Sequence, residues 1–403
     1  MISHPFSKAV PILKSIELSG YQAYFVGGSV RDHLLGRTIA DIDIATSASP
    51  EELKKIFPKT TDVGIEHGTI LIHYKGTPFE VTTFRTESGY TDFRRPDKVS
   101  FIRSLEEDLQ RRDFTMNAIA MDKDGRIIDP FDGQGAINKK LIVTVGNPDE
   151  RFGEDALRIL RAVRFLSQLS FLIEKYTLNS IHKHGFLLKN IAVERKAAEF
   201  EKMLQGQNRS KAIELICSSG MYQFLPGLKQ HKEGLINLSN RLSRELDSDE
   251  MWALLLYELN LESSEIESFL RGWKLPVQKI KKLKQLHSWL IYRISAGWNK
   301  DTVYKAGAET AIHAEKLFAC IFPEKDSSLS YIDELYKNLP IKSKADLNAT
   351  GNDLMEWSNK RPGPWIRVLL EEIEKSVIHG EVVNEREKIR EWLSRCNPGL
   401  ERN

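Results

Sequence analysis

The sequence predicts an α+β fold, a small mixed α/β head followed by a long helical remainder, and three observations predict it. Short runs of β-forming residues are confined to the first third of the 403 residues. From Glu150 onward apolar residues recur at three- and four-residue steps instead. The chain also exceeds one compact core, since domains run to ~100–200 residues, so a change of architecture within it is expected.

In the head, QAYFVGG (22–28), DIDIAT (41–46), GTILIHY (68–74) and FEVTTFR (79–85) read as strands. Between them, 30–35 and, after the turn at Ser49 and Pro50, 51–57 read as helices. Residues 88–96 (SGYTDFRRP) are polar, hold Gly and Pro, and read as a loop. The run AIAM (118–121) reads as strand-like and meets a turn at Lys123, Asp124 and Gly125. Beyond residue 150, Ala156, Ile159, Leu160, Val163 and Leu166 mark one face of an amphipathic helix. Similar patterns fill 197–204, 212–217, 252–259, 280–290 and 365–377, with breaks at Pro226, Pro276, Pro323, Pro340 and Pro362.

Composition narrows the class. At 41% hydrophobic and 28% charged the chain reads as an ordinary globular protein. No run approaches the ~20 apolar residues of a membrane span, and the N-terminus lacks a secretory pattern. Cys217, Cys320 and Cys396 are far apart, which fits neither a metal cluster nor a disulfide framework and points to the cytoplasm. The net charge of +2 is too small to name a partner.

Three segments carry chemistry. In VGGSVRDHLLGRTIADIDIAT (26–46), Gly27 and Gly28 separate a strand from a helix, where backbone can approach an anion closely. Ser29 offers a hydroxyl there and Arg31 a charge. Asp41 and Asp43, two apart on a strand, face one side, while Ile42 and Ile44 face the core. Two carboxylates held together repel unless a cation sits between them, and Mg²⁺ accepts such a pair along with substrate phosphates. A plain strand–turn–helix with a solvated face is the alternative. In LQRRDFTMNAIAM (109–121), Arg111 and Arg112 suit phosphate, and Asp113 or Asn117 suits a ribose hydroxyl; a surface charge cluster is the alternative. In ERFGEDALRILRAVRF (150–165), Asp155, Arg158, Arg161 and Arg164 recur at threes on one broad side of a helix. A salt-bridged solvated face fits this row, and so does an acceptor beside a donor fork that reads a nucleobase edge.

Taken together these segments resemble the class II tRNA nucleotidyltransferases, the bacterial CCA-adding enzymes of the polymerase-β-like superfamily. GGSVRDHLLGR with DID is similar to the family's metal and triphosphate motif, RRDFTMNA to its ribose motif, DPFDG to its hinge and EDALRILRAVRF to its base-reading motif. IAVERKAAEFEKML (191–204), DLNATGNDLMEW (346–357) and RPGPWIRVLLEEIEKSVIHGEVVNE (361–385) continue the likeness in the same order.

The resemblance implies an elongated arrangement: a catalytic head (1–148), a neck (149–206), a body (207–300) and a tRNA-binding tail (301–403). It implies Asp41 and Asp43 as Mg²⁺ ligands, with Glu80 or Asp113 as a third carboxylate. Gly28, Arg31 and Arg112 would hold the nucleotide, Asp155 and Arg158 would pair with the base, and Arg161 and Arg164 would support that pairing. The partners implied are the tRNA acceptor end, ATP and CTP, with the protein a monomer or homodimer. The implied reaction is addition of CCA. A poly(A) polymerase fits less well, because VGIEHGTILI (63–72) stands where those enzymes carry an Arg-rich segment. CC-only addition is disfavoured by the intact 85–101 segment, whose loop would reposition the base reader between C and A. A-only addition is left open.

Overall fold

The computed structural model of the chain describes residues 4–88, 98–241, 245–327 and 329–396. Contacts divide it into two compact units, Met1–Asn240 with Phe269–Leu275, and Arg241–Ser268 with Pro276–Asn403.

The first unit begins with α1 (Val10–Leu18), β1 (Ala23–Val26), α2 (Gly28–Leu34), β2 (Asp43–Thr46) and α3 (Pro50–Ile56). It continues through β3 (Thr60–Gly64), β4 (Thr69–Tyr74), β5 (Thr77–Thr83), β6 (Arg85–Ser88), β7 (Lys98–Phe101) and α4 (Leu105–Gln110). Among the described residues seven strands form one sheet, in the order β3-β4-β5-β2-β1-β8-β9, completed by β8 (Ala120–Met121) and β9 (Ile127–Ile128). β2 runs parallel to β5 with Asp43 opposite Glu80, and antiparallel to β1 with Val26 opposite Asp43. α1 lays Ile12, Leu13 and Ile16, all fully buried, toward β1. α3 starts on a capping box between Ser49 and Glu52 and ends on Lys54 and Lys55, which suits both its orphan N–H groups and its dipole.

Three expectations change in detail. The strand anticipated over 41–46 begins only at Asp43, and Asp41 lies exposed ahead of it. β1 has turned away at Gly27, so residues 41–42 find no antiparallel partner there; Ile42 is half-buried and not a core residue. AIAM shortens to β8, because a 3₁₀ turn over Thr115–Asn117 takes up its approach. The anticipated loop 88–96 lies, apart from Ser88, outside the described residues; β6 and β7 flank it as a separate antiparallel pair.

The chain then becomes helical: α5 (Gly133–Asn138), the short strand β10 (Leu141–Ile142), α6 (Pro148–Glu154) and α7 (Leu157–Leu169). After β11 (Leu172–Ile173), paired with β10, come α8 (Lys175–His184), α9 (Val193–Leu204), α10 (Arg209–Ser218) and α11 (Lys232–Asn240). α7 packs on α9 and α10 through the apolar stripe read from the sequence, with Ile159, Leu160 and Val163 buried.

The second unit holds no strand among its described residues. α12 (Ser248–Glu258) leads to α13 (Ser263–Gly272), whose last residues belong to the first unit. α14 (Val277–Ser295), α15 (Lys300–Ala306) and α16 (Ala308–Ile321) follow, then α17 (Leu329–Lys337), α18 (Gly351–Ser358), α19 (Trp365–His379) and α20 (Arg386–Cys396). α14 packs against α12 and α16 around Trp252, Leu255, Leu283, Leu290 and Leu317, all fully buried. Pro276 and Pro364 stand as N-caps of α14 and α19, so prolines start helices here as well as end them. Among the described residues no helix is long and apolar enough to cross a membrane.

Candidate active site

β1 ends in a turn that requires glycine twice over. Gly27 has φ +69°, and a Cβ built on it would stand 2.9 Å from Arg112 Nη1 and 3.4 Å from Asp43 Oδ2. Ser29, expected to offer its hydroxyl to a ligand, is buried and donates it to the Val26 carbonyl at 2.9 Å. Arg31 follows on α2, paired with Asp32 at 2.9 Å and donating to Asn117 Oδ1 at 2.8 Å. The glycine turn, Arg31 and the first residue of β2 are thereby gathered at one end of the sheet.

Asp43 stands at that end. Burial, together with the charges of Glu80 and Asp41, pushes its carboxyl up to about 6, against the pull of Arg112 and Arg31. A carboxyl under this conflict suits a divalent cation, which takes carboxylate oxygens and relieves their repulsion. Of the two candidates for a third carboxylate, Glu80 lies directly across from Asp43. Asp113 is already committed. Its Oδ1 accepts from Phe114 N–H and Asn117 Nδ2 at 2.8 and 2.9 Å, and its Oδ2 pairs with Arg161 Nη2 at 2.6 Å. Burial alone would raise its pKa, but Arg161 and these hydrogen bonds outweigh it and hold the carboxyl at about 2.

The base-reading row differs from expectation at its first member. Asp155 is not on the helix of Arg158; it is extended (φ −134°, ψ 100°) in the break between α6 and α7. Its carboxylate accepts from Leu157 N–H at 3.0 Å, replacing a helical bond at the start of α7. Asp155 and Arg158 meet only through the backbone, the Arg158 N–H donating to the Asp155 carbonyl at 3.1 Å; their side chains find other partners. Arg195 Nη2, from α9, reaches Asp155 Oδ2 at 2.8 Å, while Arg158 Nη1 donates to Glu154 Oε2 at 2.7 Å and to the Arg151 carbonyl at 2.9 Å. Arg158 is only 6% exposed, so the row is not a solvated face. Arg164 pairs with Glu199 at 2.8 Å. Arg31, Arg161 and Arg164 all stand over the Phe165 ring, at 5.1, 5.7 and 4.2 Å from its centroid.

These residues rim one cleft of about 560 Å³, whose lining includes Gly28, Arg31, Asp43, Arg112, Asp155, Arg158, Arg161 and Arg164. Asp41 stays outside that lining. Arg85, Phe165, Gln168 and Arg195 line the cleft without having been singled out in sequence. Arg195 lies inside the IAVERKAAEFEKML segment already noted, and Arg85 opens the 85–101 segment, so both were findable. A larger hollow of about 860 Å³ in the second unit, with Tyr304, Lys305, Lys344 and Lys375 on its wall, contains none of the expected site residues. Of the lysines at the start of α14, Lys279, Lys282 and Lys284 are taken into pairs with Asp249 and Glu267. Asp247, Glu250 and His313 also converge, but Lys316 already stands 3.2 Å from Glu250.

The chain matches the family described as "Poly A polymerase head domain" over residues 23–143. It matches "Probable RNA and SrmB- binding site of polymerase A" over 170–232 and "tRNA nucleotidyltransferase domain 2 putative" over 245–393. It is 47% identical over 399 residues to a CCA-adding enzyme of a Geobacillus species, covering 98% of both chains. To a CCA-adding enzyme of Bacillus cereus it is 45% identical, covering 97% of this chain and 99% of the relative. The crystal structure of the Bacillus stearothermophilus CCA-adding enzyme in complex with CTP superposes with a TM-score of 0.88 at 42% identity, over the whole of both chains.

Proposed function

This chain belongs to the CCA-adding enzymes, the tRNA nucleotidyltransferases, and from that premise we propose how its cleft chooses and joins nucleotides. The enzyme adds C, C and A to the 3′ end of tRNA from CTP and ATP, without a nucleic-acid template, and releases diphosphate.

In our reading Asp41, Asp43 and Glu80 hold Mg²⁺. When bound there, the cation polarises phosphate oxygens and the attacking 3′-hydroxyl. Residues of the chain supply the rest. The Gly27–Gly28 turn lets the triphosphate approach the backbone, and Arg31 and Arg112 hold it by charge. No protein nucleophile is needed, because such transfer is mostly positioning and charge neutralisation. Asp113, bound to Arg161, serves as framework for the arginines and not as a ligand. The division into head (1–148), neck (149–206), body (207–300) and tail (301–403) places every one of these groups in the head and neck.

Base choice falls to Asp155 and Arg158. Asp155 accepts from the exocyclic amino group that cytosine and adenine share, and Arg158 donates to their ring nitrogen. Uracil and guanine present a carbonyl to the carboxylate instead, leaving buried polar groups unpaired. Arg161 and Arg164, locked by Asp113 and Glu199, keep α7 and α9 in register beneath the pair. The observation that carries this reading is the shared cleft: the metal-type carboxylate, the glycine turn and both base-reading groups line a single hollow, of a size usual for small-molecule sites (roughly 300–1,000 Å³).

The test is single-nucleotide addition to tRNA ending before CCA, with each of the four triphosphates offered separately. Asp155→Ala should admit UTP and GTP, with discrimination reduced by the ~1–3 kcal/mol a bidentate base contact supplies in protein–DNA readout. Selectivity that stays intact at a lower rate would mean that Asp155 serves only as Arg195's partner.

A further inference from the structure

Arg85, Arg111 and Arg112 all line the cleft, yet the carboxylate that joins them does not. It belongs to Asp108 on α4, which is 1% exposed. Its Oδ1 accepts from Arg111 Nε at 2.9 Å, from Arg111 Nη2 at 2.7 Å and from the Arg85 N–H at 3.3 Å. Its Oδ2 accepts from Arg112 Nη2 at 3.3 Å. The two oxygens are thus unequally loaded: three donors crowd one, while the other faces the guanidinium of Arg112.

Arg112 has little else to hold it. Its second amino group makes a long 3.4 Å contact with the Asn117 carbonyl, and its Nε is buried without a hydrogen-bond partner among the described residues. The same guanidinium lies where a Cβ on Gly27 would come within 2.9 Å of its Nη1, so the two can coexist only if Arg112 shifts. A loosely held Arg112 would either sweep into the glycine turn or swing away from Asp43.

We infer that Asp108 is a positioning residue for nucleotide binding, acting through Arg112 by setting the reach and orientation of its guanidinium. The inference rests on the reading that Arg112 touches the nucleotide. Burial makes the arrangement effective, since an ion pair shielded from water holds its geometry far better than an exposed one. The backbone of the same two residues is also engaged: the Arg111 carbonyl accepts from Arg158 Nη2 at 3.3 Å and the Arg112 carbonyl from Arg151 Nη2 at 2.7 Å. Anchoring 111–112 therefore also steadies the base-reading arginine.

Asp108→Asn is the discriminating variant. The amide can keep its oxygen where Oδ1 was, serving Arg111 and the Arg85 N–H, but it then turns an NH₂ toward Arg112, donor against donor. Shape is conserved and one guanidinium is released. On tRNA lacking its CCA end, the KM for CTP and for ATP should rise about tenfold, with kcat changed less and the tRNA dissociation constant unmoved. Asp108→Glu should recover part of the loss. Arg112→Gln measured alongside should raise the same KM, and the double variant should be no worse than Arg112→Gln alone, because the two act in one line. A KM that falls, as removal of a negative charge alone would give, overturns the inference. So does a kcat loss at constant KM, the mark of a merely structural role. If Arg112→Gln raises KM and Asp108→Asn does not, Asp108 loses its role while the reading of Arg112 stands. If Arg112→Gln leaves KM untouched, that reading itself is wrong and Asp108 goes with it.

Discussion

At the scale of single residues, Asp43 and Asp113 line the same cleft yet have opposite acidities, near 6 and near 2. Asp43 feels the carboxylates of Glu80 and Asp41 as well as Arg112 and Arg31. Asp43→Asn should abolish nucleotide addition while leaving tRNA binding and the unfolding midpoint close to those of the parent. Activity above a trace with Mg²⁺ would remove Asp43 from the metal site. Asp113 is the reverse case. Its folded-state pKa is depressed below the ordinary 3.8, so its stabilising contribution is present above that value and is lost as pH falls toward 2. The shift corresponds to roughly 2 kcal/mol. Urea unfolding of the parent and Asp113→Asn should show a gap of this order at pH 6 that closes between pH 4 and pH 2. A gap independent of pH would mean that the Arg161 pair contributes only shape.

At the scale of elements, the turn between β1 and α2 depends on glycine at its first position. Gly27→Ala forces a positive φ on a residue with a Cβ and drives that Cβ against Arg112. Nucleotide addition should fall at least about a hundredfold, the effect expected when a catalytic geometry shifts by ~1 Å, with far less change at Gly36, which shares a positive φ (+65°) but has open space around it. Equal tolerance at both glycines would mean the turn makes no close approach. The apolar period made α7 legible from sequence, because Ile159, Leu160 and Val163 do face the core. The break before it was not legible, since Phe152 and Ala156 continue the same stripe across Asp155 while the backbone there is extended. The partners of the arginines were also out of reach. Arg161 finds Asp113, and Asp155 finds Arg195, 48 and 40 residues away, and no local pattern reports such pairings. The early start assigned to β2 has a related cause, since strand ends depend on where the neighbour turns and not on the strand's own residues.

At the scale of the whole molecule, the boundary between the units is crossed more than once. Phe269–Leu275 belongs with the first unit although the residues before and after it belong to the second. Trp273 is fully buried there against Phe200 of α9, with ring centroids 4.6 Å apart, and Phe269 packs where a side chain at Gly227 would otherwise intrude. Trp273→Ala should destabilise the first unit by about 3–5 kcal/mol, the usual cost of emptying such a site. Calorimetry should show the loss in the transition that also reports α9. A loss below ~1 kcal/mol would mean that the segment is only laid on the surface. The same interleaving bears on recombination between homologous genes. One exchange point after residue 240 passes Trp273 along with the foreign half, so Phe200 meets a partner from another lineage. One exchange point after residue 275 keeps that pair but leaves 241–268 behind, split from the helices it packs with. A clean exchange of the second unit therefore takes more than one breakpoint, and single-breakpoint hybrids should survive only where the parents already agree around Phe200, Gly227, Phe269 and Trp273.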